Sequence, residues 1–224
     1  MKIVIFDLDD TLYSEITYVY SGLDAVAEFF AKMAGVSQEE LFSSFVQSLV
    51  ANGRGSVFDD VLERHGIMTK SNVRKAISIY RKHEPRIALA PEIRNLLLQL
   101  GLTKKLYIVT DGNKLVQGRK VEALGLESLV KRVFITHRFG LSASKPSLHC
   151  FEIIRKIERC DWSEIAYVGD DPSKDFVALN RVGAMTIRVL QGRCAGVQAT
   201  REYDARITIH SLDGLTTALE EMAI

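Results

Sequence analysis

The rhythm of apolar and polar positions changes along the chain. Residues 2–6 contain an unbroken apolar run, Ile3-Val4-Ile5-Phe6, which predicts a strand buried on both faces. The period then becomes helical. Ile16, Val19, Tyr20, Leu23, Val26, Phe30 and Met33 share one face of a helix that Gly35 stops. Ser37 with Glu40 predicts a capping box ahead of Leu41, Phe42, Phe45, Val46 and Leu49. The NGRG run at 52–55 reads as a loop. Ser56 with Asp59 reads as the cap of a helix ended by Gly66, and 72–82 as a helix that stops before Pro85.

From residue 86 onward, strands and helices alternate. Pro91 opens a helix that ends at Gly101, and Leu106–Val109 reads as a strand. Lys114–Leu124 is a helix closed by Gly125, followed by a strand at Val133–Ile135 and a helix at Ser147–Ile157. Ile165–Val168 is a strand, Asp175–Val182 a helix, and Thr186–Val189 and Ile207–Ile209 are strands before a terminal helix, Leu212–Met222. Such alternation predicts βαβ units and a parallel sheet covered on both faces. The expected architecture is α/β: a Rossmann-like, three-layer α/β/α core from residues 1–13 and 86–224. An all-helical unit at 14–85 interrupts it after the first strand.

Composition narrows the class. The chain has 224 residues, 47% of them apolar and 25% charged, with a formal net charge of +1. No bulk field recruits nucleic acid or a membrane surface, so neither is expected as a partner. Cys150, Cys160 and Cys194 are an odd number without CxxC spacing, which fits a reducing compartment better than a disulfide framework or a zinc site. The opening apolar run is too short for a signal peptide, and no apolar stretch approaches the ~18 residues of a membrane span. The expectation is a soluble cytoplasmic protein, monomer or homodimer.

The reactive residues gather at predicted strand ends, where open parallel sheets bind ligands. The first strand runs into Asp7, Asp9, Asp10 and Thr11, the next into Thr110, Asp111, Gly112 and Asn113. A third ends in Gly169, Asp170 and Asp171, with Asp175 close behind; Lys145 and Pro146 open the preceding helix. Carboxylates converging on one edge repel one another, and a hard cation such as Mg²⁺ relieves that cost. An Asp beside such a cation is a competent nucleophile toward phosphorus, and a second one nearby can serve as acid and then base. Thr110, the backbone N–H groups from Asp111 to Asn113, and Lys145 suit phosphoryl oxygens. Asp10 has a competing reading as a turn or helix-capping acid, and Asp175 as a helix N-terminal charge. Tyr13, Arg54, His137 and Arg138 are further candidates for substrate contact, although structural or surface roles explain them as well.

Four segments, FDLDDT at 6–11, YIVTDG at 107–112, SKPS at 144–147 and YVGDDPSKD at 167–175, occur in the order found in the haloacid dehalogenase superfamily of phosphohydrolases, which the chain resembles. The resemblance implies Asp7 as nucleophile, Asp9 as general acid/base, Thr110 as phosphate-binding hydroxyl and Lys145 as stabilising lysine. It implies Mg²⁺ held by Asp7, the Asp9 backbone carbonyl and Asp170, with Asp171 and Asp175 sharing the supporting places. It also implies that residues 14–85 form a helical cap that closes over the leaving group. One departure stands out: the segment THRFGLSASKP at 136–146 lacks the carboxylate that many relatives carry ahead of the lysine. The implied activity is Mg²⁺-dependent hydrolysis of a small phosphate ester, a sugar phosphate or a nucleotide-like compound, through an aspartyl-phosphate. The alternatives within the superfamily are a phosphomutase and a haloacid dehalogenase.

Overall fold

The computed structural model describes residues 1–221. The chain divides into two compact units, one made of Met1–Glu15 with the chain from Ala88 onward, the other of Ile16–Ile87.

The first unit is built on a six-stranded, all-parallel sheet: β1 (Ile3–Phe6), β2 (Lys105–Thr110), β3 (Arg132–Ile135), β4 (Ile165–Gly169), β5 (Met185–Val189) and β6 (Ile207–Ile209), in the order β3-β2-β1-β4-β5-β6. Phe6 pairs with Ile108 on one side and Val168 on the other, so β1 is central and buried on both faces, as its unbroken apolar run requires. Alternate residues Ile3, Ile5, Tyr107, Val109 and Tyr167 pack with Phe151, Ile154, Phe176 and Leu179 in a single core. Among the described residues, five α-helices accompany the sheet: Pro91–Gly101, Lys114–Ala123, His149–Glu158, Val177–Val182 and Leu215–Glu221.

Three of these helices start later than the sequence suggests. Ser147 accepts the His149 N–H through its hydroxyl, which places the start at His149. The Asp175 carboxylate is drawn to Lys145 and to the Asp171 N–H, so it is no helix-capping charge and the helix begins at Val177. Residues 212–214 form a separate 3₁₀ turn, and Met222, the expected last helical residue, lies outside the described residues.

The second unit contributes Glu15–Ala34 (its first residue counted with the first unit), Gln38–Asn52, Val57–Arg64 and Lys70–Lys82, numbered α1 to α4; the later helices follow as α5 to α9. Val19, Leu23, Val26, Phe30, Leu41, Phe45, Val61 and Leu62 form its core at the expected helical spacing. The capping box is present: Ser37 Oγ accepts the Glu40 N–H at 3.2 Å and Glu40 Oε2 accepts the Ser37 N–H at 2.9 Å. The Ser56–Asp59 cap does not form. Ser56 donates its hydroxyl to Asp60 instead, joining Ser48 and Asn52 on that one carboxylate oxygen. Thr69 accepts the Asn72 N–H and starts α4 at Lys70, two positions before the reading from periodicity.

Candidate active site

Strand order places the chemistry. The chain runs outward from β1 through β2 to β3 and then crosses back to β4 on the other side of β1, and this reversal opens a crevice at the carboxyl ends of the strands. Asp7 is the first residue beyond β1, and its N–H donates to the Val168 carbonyl at 2.8 Å. Thr110 ends β2 on one side, and Asp170 follows β4 on the other. A cleft of about 160 Å³ lies among them, lined by Asp7, Asp9, Thr110, Asp170, Lys174 and Arg193 among others.

Lys145 is the hub. Its Nζ lies 2.6 Å from Asp175 Oδ1, 2.8 Å from Asp7 Oδ1 and 2.9 Å from the Tyr167 hydroxyl, all out of solvent. Asp175 Oδ2 accepts the Asp171 N–H at 3.0 Å, so both of its oxygens are committed. Gly169 makes room for it: a Cβ there would stand 2.5 Å from Asp175 Oδ2. Asp175, not Asp171, therefore orients the lysine. The Asp171 carboxylate turns aside to the Ser173 N–H and hydroxyl, at 3.0 and 2.6 Å, with Lys174 at 3.7 Å and Arg193 at 3.9 Å.

Asp7, Asp170 and Asp175 each offer an oxygen within 4.8 Å of the others. Burial, reinforced by Asp175 and opposed by Lys145, pushes the Asp7 carboxyl up to about 6. Burial and then the charges of Asp7 and Asp175 push Asp170 up to about 8. Burial alone would lower the Lys145 ammonium, but Asp175 and Asp7 hold it well above the usual lysine range. The negative charge of Asp170 is thus poorly compensated by the protein itself. Hard oxygen donors with uncompensated charge fit Mg²⁺; because both oxygens of Asp175 are committed, Asp170 and the second oxygen of Asp7 are the ones left that could hold it.

The remaining candidates separate. Asp9 is partly buried, and its carboxylate accepts from Tyr13 Oη at 2.7 Å, Gln117 Nε2 at 2.8 Å and Lys120 Nζ at 2.7 Å. Tyr13 thus has a direct part in the site. Asp10 is structural: its Oδ1 accepts the Glu15 N–H at the start of α1 at 2.9 Å, and its φ is +52°. The Asp111 carboxylate accepts from the Thr136 hydroxyl at 2.6 Å and the Lys145 N–H at 3.1 Å, tying the lysine loop to β2. The Asn113 side chain caps α6 through the Leu115 N–H at 3.0 Å.

Sequence reasoning missed Gln117, Lys120, Tyr167, Lys174 and Arg193. Gln117 and Lys120 left one signal: polar residues three apart on a helix face that ought to be apolar.

Residues 4–189 match the family model described as haloacid dehalogenase-like hydrolase. A glyceraldehyde 3-phosphate phosphatase of Methanocaldococcus jannaschii is 27% identical over 236 residues, covering 99% of this chain and 98% of the relative. A protein of the same description from Methanopyrus kandleri is 27% identical, covering 91% of this chain and 90% of its own. Among solved structures, a 2-haloacid dehalogenase from Pseudomonas syringae pv. tomato superposes with a TM-score of 0.67 at 23% identity, over 99% of both chains, a likeness of fold.

Proposed function

We propose that this chain, which belongs to the haloacid dehalogenase-like hydrolase family, is a Mg²⁺-dependent phosphatase of small sugar phosphates, with a triose phosphate as the favoured substrate. The observation that carries this reading is the second carboxylate. Asp9 stands at the cleft two residues beyond Asp7, and a dehalogenase has no leaving alcohol for it to protonate. The relatives' phosphatase descriptions supply the substrate class.

In this reading the Asp7 carboxylate attacks phosphorus while protonated Asp9 gives its proton to the departing alkoxide. The product is an alcohol and an aspartyl-phosphate on Asp7. Asp9, now a carboxylate, takes a proton from the water that attacks the same phosphorus; inorganic phosphate leaves and Asp7 is restored. Lys145 opposes the charge gathering between Asp7 and the phosphoryl oxygens, and the Thr110 hydroxyl donates to one of them. Mg²⁺ held by Asp7, Asp170 and the Asp9 carbonyl would supply further charge neutralisation at the phosphoryl group. Residues 16–87 take the part of the cap. Three buried free cysteines fit the reducing cytoplasm that the composition suggests.

The test is a panel assay. Para-nitrophenyl phosphate, glyceraldehyde 3-phosphate, hexose phosphates and nucleoside monophosphates are offered with and without Mg²⁺, beside a 2-haloacid. The expected result is Mg²⁺-dependent phosphate release with the highest kcat/KM on the triose phosphate. Metal-independent halide release, with no phosphate from any ester, would overturn the reading.

A further inference from the structure

We propose that Gln117 and Lys120 are positioning residues that hold the Asp9 carboxylate and the Thr110 hydroxyl in working orientation; this rests on the phosphatase reading above. Both lie on the inner face of α6 and are 2% exposed. A buried helix face is normally apolar, and a buried ammonium is costly unless it is paired. The partners are specific. Lys120 Nζ lies 2.7 Å from Asp9 Oδ1 and 3.4 Å from Glu15 Oε1. Gln117 Nε2 lies 2.8 Å from Asp9 Oδ2 and 2.6 Å from Thr110 Oγ1.

The chemistry of the donors fixes their directions. An amide NH₂ only donates, so Gln117 gives one N–H to Asp9 Oδ2 and the other to Thr110 Oγ1. The Thr110 oxygen therefore accepts from Gln117, and its own proton is left to donate to an oxygen in the cleft. One amide thus sets the acid/base and the phosphate-binding hydroxyl together. Gly112 belongs to the same arrangement. Its φ is +131°, and a Cβ there would press within 3.3 Å of Gln117 Cγ. Lys120 fixes the other Asp9 oxygen, with Tyr13 as its companion donor.

The test separates positioning from packing by leaving group. The parameter kcat/KM runs only through phosphoryl transfer to Asp7; an alkoxide leaves with a proton from Asp9, whereas para-nitrophenolate leaves without one. Wild type, Lys120→Met, Lys120→Arg and Gln117→Met are compared on glycerol phosphate and para-nitrophenyl phosphate, with thermal unfolding as the check of fold. Lys120→Met is expected to lose at least ~10-fold on glycerol phosphate and much less on the aryl ester, a part of the ~10²–10⁴-fold that general acid catalysis supplies. Lys120→Arg, which keeps the charge, is expected to recover most of that loss. Gln117→Met is expected to show the same leaving-group bias and also weaker inhibition by inorganic phosphate, because Thr110 loses its orientation; it carries the comparison if Lys120→Met does not fold. Equal losses on both esters, or none, in folded variants would overturn the positioning role while leaving the phosphatase reading intact. A wild type that cleaves neither these esters nor glyceraldehyde 3-phosphate would instead overturn the reading itself, and the inference with it.

Discussion

Lys145 and Asp175 meet at 2.6 Å in the interior, and that contact fixes where the ammonium can reach: Asp7 Oδ1 lies 2.8 Å from the same nitrogen. Asp175 also holds the Asp171 N–H, so one carboxylate braces both the lysine and the turn after β4. Removing one partner of a buried pair typically costs about 3–5 kcal/mol. Asp175→Asn should therefore lower stability by about 3 kcal/mol and reduce kcat as Lys145 loses its anchor. Urea unfolding checks the first part, with a lower midpoint at unchanged slope.

Asp7→Asn should behave in the opposite way. It removes a buried carboxyl whose charged form burial disfavours, so the fold should survive, while turnover should fall to background. Paired measurements of melting temperature and kcat decide this. Retained activity would exclude Asp7 as nucleophile.

Metal removal has a signed pH dependence. The folded-state values of Asp7 and Asp170, about 6 and about 8, lie above the ordinary value of 3.8. The folded state thus binds protons more tightly than the unfolded chain, and metal-free stability falls as pH rises from about 4 through about 8. Mg²⁺ needs the deprotonated ligands, so its stabilising effect should grow over the same interval, reaching about 2.7 kcal/mol at ~100 Kd. Melting curves in EDTA and in Mg²⁺, for wild type and Asp170→Asn, read this directly. The metal increment should be far smaller in the variant.

Glu158 shows the ordinary sign. Its carboxylate accepts from Lys131 at 2.7 Å and from Lys105 and Tyr107. Burial would raise it, but these donors pull it down from 4.5 to about 2. Its contribution to stability is present above about pH 4.5 and is lost as pH falls toward about 2. Acid unfolding of Glu158→Gln should converge on wild type in that interval and lie below it at neutral pH.

Much of this was legible in the sequence because strand ends announce themselves. An apolar run that meets acid at Asp7, and another that ends in Gly169-Asp170, place acidic groups on one edge of a parallel sheet. Choosing between Asp171 and Asp175 was not possible, because it depends on which way two side chains turn inside one short loop. Ser56 read as a cap because pattern shows spacing, not competition; Asp60 offers its hydroxyl a carboxylate acceptor instead. The roles of Gln117 and Lys120 depend on contacts to Asp9 more than a hundred positions away, which local pattern does not encode.

The most direct test of the central claim is covalent trapping at Asp7. Asp9→Asn should form the aspartyl-phosphate from para-nitrophenyl phosphate but hydrolyse it slowly, losing ~10²-fold or more in turnover. Acid quench, borohydride reduction and peptide mass spectrometry should then find homoserine at position 7, only after incubation with both substrate and Mg²⁺. An unmodified Asp7 under turnover conditions, or reduction at another carboxylate, would contradict the account.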